Sequence, residues 1–176
     1  FILDIGFAGY ADAEPNDWTF FFDEIEQVAS CPSGGGGGTS GGVGFESGSA
    51  TFSDFGGGVG SVIANPDATG INTSGQVGQM QKLAGDSFAG TTLQLPMAVP
   101  RAAGDSYLKK VRAQREVVVT FKLETDGTER IAIHSGSGTW EELCFDFAGV
   151  DVASVTGITL IFDNGIAGDA ANDPNN

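Results

Sequence analysis

Glu116-Val117-Val118-Val119-Thr120-Phe121-Lys122-Leu123-Glu124 is a β-branched run that passes into strict alternation, and Asp126-Gly127 follows it. Asp-Gly supplies the positive φ that a tight hairpin needs, and Glu129 to His134 reads as the returning strand. Downstream, Trp140 to Phe147 alternates again. Leu143, Phe145 and Phe147 share one face, while Glu142, Cys144 and Asp146 share the other. Thr156 to Asp163 is the last strand of this half.

The pattern continues upstream. Val43 to Glu46 and Thr51 to Phe55 are expected to form a short hairpin around Ser47-Gly48-Ser49. Val59 to Ala64 leads into a turn at Asn65-Pro66-Asp67, and Val77 to Leu83 is expected to pair with Ser87 to Leu95 through Gly85-Asp86. Trp18 to Val28 is a further, strongly strand-like run. Only Ala102 to Arg115 has helical composition, and Gly104 interrupts it. Nine to eleven short strands at this spacing predict an all-β fold: an antiparallel two-sheet β-sandwich of jelly-roll type with an N-terminal strand arm.

The chain has 176 residues, enough for one domain with a sizeable core, and its 28 glycines point to many turns. Its formal net charge is −15. Such a surface has little lysine or arginine with which to displace the counterions of nucleic acid or anionic lipid, so neither is an expected partner. No apolar run reaches the length of a membrane-spanning helix. The chain starts at Phe1 with no basic n-region before an apolar run, which suggests a mature or excised segment.

The two ends carry a repeat. Residues 1–17 align without a gap on residues 160–176. Eight pairs are identical: Ile2/Ile161, Asp4/Asp163, Gly6/Gly165, Ala8/Ala167, Gly9/Gly168, Ala11/Ala170, Pro15/Pro174 and Asn16/Asn175. The strand Trp18-Thr19-Phe20-Phe21-Phe22-Asp23-Glu24-Ile25-Glu26-Gln27 follows the first copy, and none follows the second. A glycine-rich run, Ser33 to Gly42, then reads as a tether. The chain therefore divides into a strand arm (1–30), a tether (31–42) and a body (43–176).

A sandwich short of one strand leaves backbone groups unpaired beside an open core, and an added strand satisfies both. Alternation places Trp18, Phe20 and Phe22 on one face of that strand and Phe21, Asp23 and Ile25 on the other. Its host is the same body, the next copy, or the neighbouring repeat of a tandem array. The expected host is the neighbour. Cys31 and Cys144 read either as one bridge in an oxidising compartment or as two buried thiols.

Several short motifs resemble a family of β-sandwich modules appended to secreted polysaccharide-degrading enzymes, mostly of marine bacteria. They are Phe45-Glu46, Asp54-Phe55-Gly56-Gly57-Gly58, Ala64-Asn65-Pro66 with Gly70-Ile71-Asn72-Thr73-Ser74, and Phe88-Ala89-Gly90. Val119 to Glu124, Trp140 to Phe147 and Ile158 to Asp163 continue the likeness over most of residues 43–176. In such modules a glycine-rich acidic loop and a strand like Phe21-Phe22-Asp23-Glu24-Ile25 come last, whereas here that strand lies at the other end. The resemblance implies a noncatalytic, secreted, carbohydrate-binding jelly roll, often with a structural calcium ion near Glu46 and Asp23. Phe88 stands where the family often has Trp, and Cys144 where Thr is common. Trp140, Tyr107 and Tyr10 are the aromatic candidates for sugar stacking, with Trp18 beside them; for Trp18 and Trp140 a core position is the favoured reading.

The loop from Asp163 through Asp169 to Asp173 offers hard oxygen ligands of the kind Ca²⁺ takes. Asp and Asn also populate plain solvated turns, so both readings stand. His134 is the single histidine, which leaves no His-based triad partner or multi-histidine zinc site to argue for. Glu141 and Glu142 point to opposite faces of a strand and make no glycosidase pair by themselves. The sequence thus predicts a non-enzymatic extracellular protein that assembles head to tail with further copies of itself by strand complementation. The alternative is a module that binds an extracellular polysaccharide.

Overall fold

The computed structural model describes residues 18–32, 42–101 and 105–173. Eleven strands are present among them: β1 (Thr19–Val28), β2 (Gly42–Val43), β3 (Thr51–Phe55), β4 (Gly58–Ala64), β5 (Gln76–Lys82), β6 (Gly90–Pro100), β7 (Ser106–Arg112), β8 (Glu116–Leu123), β9 (Glu129–Ser135), β10 (Trp140–Phe145) and β11 (Ser154–Phe162). They form two antiparallel sheets packed as a sandwich. One runs β10-β7-β1-β5-β4 with β2 added beside β1, and the other runs β3-β6-β11-β8-β9.

The strands arise where β-branched and aromatic residues alternate, and the inward faces of both sheets fill one core. Phe121 stacks on Phe145 with ring centroids 4.9 Å apart, and Tyr107 lies 5.3 Å from Phe121. The β8–β9 hairpin has the expected turn, with Gly127 at φ 79° and Thr128 bonded to Asp126.

Two expected pairings are different in the fold. Gly42–Val43 and Thr51–Phe55 form no hairpin, because β2 pairs with β1 in one sheet and β3 with β6 in the other. Likewise β5 pairs with β4, whereas β6 belongs to the facing sheet. In both cases the connection crosses between layers, as arched connections in sandwiches do. Proximity in sequence favours hairpins, but in the five-stranded sheet Leu93 of β6 enters the core and Phe52 of β3 packs partly buried against it. The stretch of helical composition is also a strand in part: Ser106–Arg112 is β7, with Tyr107 and Val111 pointing into the core.

The strand expected to form an arm is central. β1 pairs on one edge with β7 and on the other with β5, then with β2. Cys31 and Cys144 are bridged, with Cα atoms 5.7 Å apart. The bridge ties the end of β1, across β7, to the edge strand β10.

Gly78 shows how closely β1 is received. It lies opposite Phe22, and a Cβ at this position would stand 2.3 Å from Phe22 Cε2. Gly78→Ala is therefore expected to lower stability by about 1–3 kcal/mol, the usual cost of overpacking. The midpoint of urea unfolding checks this, and an unchanged midpoint would mean that Phe22 is not held against β5.

Candidate assembly site

The slot that holds β1 is built largely from aromatic side chains. Phe20 stacks on Phe162 of β11 at 4.5 Å, and Phe22 meets Phe45 at 5.5 Å and Phe52 at 6.2 Å. Phe20 and Phe22 have no solvent exposure, and Ile25 is buried beside them in the same core. Full burial of each such side chain is worth roughly 1.5–3 kcal/mol. Phe21 faces outward into a small cluster with Val77 and Trp140, and the Arg112 guanidinium lies 5.6 Å from its ring.

Ile25 was expected on the outer face with Phe21. A β-bulge between Asp23 and Glu26 shifts the register against β7, with Glu24 at φ 44°. The extra residue turns Ile25 inward, so Phe20, Phe22 and Ile25 enter the core together. Plain alternation cannot register such a bulge, because a left-handed Glu carries no compositional mark of the kind glycine gives.

The leading residue of the strand has its own receptor. Trp18 N–H donates to Asp173 Oδ2 at 3.1 Å, and Lys82 N–H donates to the Trp18 carbonyl at 2.9 Å. The Arg115 guanidinium lies 4.7 Å from the Trp18 ring and reaches Asp163 Oδ2 at 2.5 Å. Asp163 and Asp173 belong to the segment that follows β11. The start of β1 therefore sits against the end of the described chain.

Three of the eight basic residues, Lys82, Arg101 and Lys109, are buried. Lys82 Nζ donates to the carbonyls of Ser87, Phe162 and Asp163 at 3.0, 2.7 and 2.8 Å, joining β5 to the end of β11. Burial lowers its pKa to about 8, with Asp163 opposing the shift and Arg115 adding to it. Arg101 holds the carbonyls of Val150, Asp105 and Phe147. Lys109 Nζ has no hydrogen-bond partner among the described residues and lies 4.0 Å from the centre of the Phe22 ring. Burial pushes its pKa well down, and the Asp23 charge resists this. Asp23 is raised by burial, against smaller pulls from Ser74, Glu24 backbone and Asn72. Lysine is ordinarily a surface residue, so neither lysine was legible as an interior group.

The carboxylates expected to hold calcium are occupied separately. Asp163 is paired with Arg115 and accepts from Val118 N–H, Asp169 accepts from Asn172, and Asp173 holds Trp18. Glu46 Oε1 accepts from Gly75 and Gln76 N–H, while Asp23 has Lys109 as its nearby positive charge. Among the described residues no group of three acidic, histidine or cysteine side chains converges to hold a metal ion. Asp23, Glu46, Asp163, Asp169 and Asp173 are thus not brought together into one such group.

Trp140 and Tyr107 are buried, so their faces are closed to a sugar ring, and Trp140 Nε1 donates to the Asp67 carbonyl at 2.7 Å. Tyr10 lies outside the described residues. His134 is fully buried: Nδ1 accepts from Gly136 N–H at 2.9 Å and Nε2 donates to the Thr139 carbonyl at 3.1 Å. Both ring nitrogens therefore serve the β9–β10 turn.

Another surface went unnoticed in the sequence. On the outer face of the five-stranded sheet an open groove of 440 Å³ is lined by Phe55, Phe88, Lys122, Glu124, Thr159 and Asn164. Thr159 donates to Glu124 at 2.5 Å, and Lys122 pairs with Glu124 at 3.1 Å. Phe88 is 52 % exposed at its rim.

Comparison of the chain with protein-family models, with curated proteins and with solved structures returns no match.

Burial raises the Tyr107 phenol to about 12, and Arg101 partly opposes the shift. A raised pKa means the folded state keeps its proton after the unfolded state, with an ordinary value near 10, has lost it. The associated stability is present below pH ~10 and is lost as pH rises through the folded value. Tyr107→Phe is expected to match the parent protein at neutral pH and to lack this alkaline loss. Unfolding midpoints measured across that window check it; parallel curves for the two proteins would refute it.

Proposed function

We propose that the protein is a non-enzymatic, extracellular structural β-sandwich that assembles head to tail, as separate subunits or as tandem repeats, by giving β1 to a neighbouring body. The observation that carries this reading is the contact between Trp18 and Asp173. In the single chain the slot is filled by the chain's own β1. Yet the slot opens beside the residues that follow β11, where the second copy of the terminal repeat ends. In the first copy of the repeat the strand begins at Trp18, directly after the residue aligned with residue 176.

Exchange would preserve the contacts within the slot, which is why domain swapping costs little. The competition is between effective concentrations. A strand joined to its body by a short glycine-rich stretch is present at roughly millimolar effective concentration, so self-filling wins in dilute solution. Crowding of subunits, or their concatenation in one polypeptide, shifts the balance toward neighbours.

The buried His134, with both nitrogens engaged, supports a non-enzymatic role. The bridge Cys31–Cys144 supports an oxidising compartment, and three of the eight basic residues lie inside, which supports a surface that repels nucleic acid. No helix among the described residues is long and apolar enough to cross a membrane. Multi-angle light scattering after reduction of the Cys31–Cys144 bridge and refolding at low and at high protein concentration tests the assembly. Monomer is expected at low concentration and a series of multimers at high concentration; monomer throughout would end this reading.

The groove on the five-stranded sheet favours a second reading, the binding of an extracellular polysaccharide. It combines an accessible aromatic ring, Phe88, with the Glu124 carboxylate and the Asn164 amide, elements that stack and hydrogen-bond a sugar. Affinity electrophoresis in gels containing laminarin or alginate is expected to retard the parent protein on at least one polymer, and Phe88→Ala to remove that retardation. Equal mobility on every polymer would eliminate it.

A further inference from the structure

We propose that the Cys31–Cys144 bridge fixes which body owns β1, and that in the assembled form it becomes a covalent link between copies, from Cys31 of one chain to Cys144 of the next. This rests on the strand-complementation reading. Its basis is the placement of the two cysteines. Cys31 lies three residues beyond the end of β1 and belongs to the exchanging segment, whereas Cys144 lies on β10, two strands from β1 in the receiving sheet. Whatever body receives β1 therefore receives Cys31 opposite its own Cys144. The bridge cannot stay within one chain if the strand has moved.

Both cysteines are half-buried, so a small thiol in solution has access to the bridge. The rearrangement is a thiol–disulfide exchange. A small thiolate attacks Sγ of Cys144, and the old S–S bond breaks with its electron pair leaving on Sγ of Cys31. β1 is then free to withdraw. When β1 of a second copy occupies the slot, its Cys31 thiolate attacks the mixed disulfide at Cys144, forms the new S–S bond and expels the small thiolate. No electrons are gained or lost overall. Each proton given up by an attacking thiol is taken up by a leaving one, and the small thiol is regenerated.

The bridge then acts as a record of order of events. A unit that oxidises while dilute is locked with its own strand, because β1 cannot leave a body to which residue 31 is bonded. A unit that oxidises after exchange is locked to its neighbour. Covalent linkage is thus set by concentration at the moment of oxidation and persists after dilution.

The test uses the full chain. One sample is reduced, refolded at high concentration and then oxidised with a glutathione redox buffer; a second is oxidised while dilute and then concentrated without thiol. Electrophoresis in SDS without reductant is expected to give a ladder for the first sample and monomer for the second, the ladder collapsing on reduction. Cys31→Ser is expected to form the same multimers by light scattering in native buffer yet run as monomer in SDS. Multimers of the parent protein that run as monomer without reductant would overturn the cross-link while leaving strand exchange standing. A ladder that persists in Cys31→Ser would overturn the assignment of the bridge. Monomer in native buffer for every sample would overturn the assembly reading itself, and this inference with it.

Discussion

A central strand of a sheet must satisfy hydrogen bonds on both edges and bury side chains on both faces, and here that strand is β1, the first in the chain order of the described residues. β1 lies between β7 on one side and β5 and β2 on the other. Without it the six-stranded sheet falls into the pairs β10-β7 and β5-β4 and an unpaired β2, with no backbone ladder between them. Phe162, Phe45 and Phe52 would lose Phe20 and Phe22 as partners. The whole sandwich therefore depends on a segment joined to the rest through a glycine-rich stretch. That dependence is what makes strand ownership, rather than surface chemistry, the question the fold poses.

The second organising feature is the use of basic residues as internal fasteners. Lys82 and Arg101 place their charged ends on groups of backbone carbonyls at opposite places in the sandwich. A carbonyl oxygen has two lone pairs, so those of Phe147, Ser87 and Asp163 accept a turn N–H as well, and an ammonium or guanidinium can bond several carbonyls at once. Arg115 serves a related purpose between Trp18 and Asp163. With these cations turned inward, the acidic excess is concentrated on the outside.

The sequence was most legible where a strand is half-buried and regular. β8, β9, β10 and β11 follow from alternation and from the Asp-Gly turn, and the inward set Leu143, Phe145 and Phe147 is the one observed. Pairing was harder to read than strand position. β2–β3 and β5–β6 are adjacent in sequence but lie in different layers, because a sandwich core rewards burial between sheets as well as hairpin closure. The bulge at Asp23–Glu26 changed the facing of Ile25, and burial of Lys82 and Lys109 depends on carbonyls and rings distant in sequence. In the candidate site, the aromatic anchors of β1 were readable, whereas Asp173 as the receptor of Trp18 was not: an aspartate in a turn carries no sign of the distant N–H it will bind.

The bridge has a mechanical consequence as well. Trp18 and Asp173 meet at one corner of the unit, so tension between them peels β1 from its first residue instead of shearing the strand along its length. Peeling proceeds only as far as Cys31. There the load passes directly to Cys144 and bypasses a loop with a sequence separation of 113. Most of the sandwich is removed from the force-bearing path, and the extensible parts are β1 and the segment after β10. A unit of this kind would give a short, fixed extension under load and then hold.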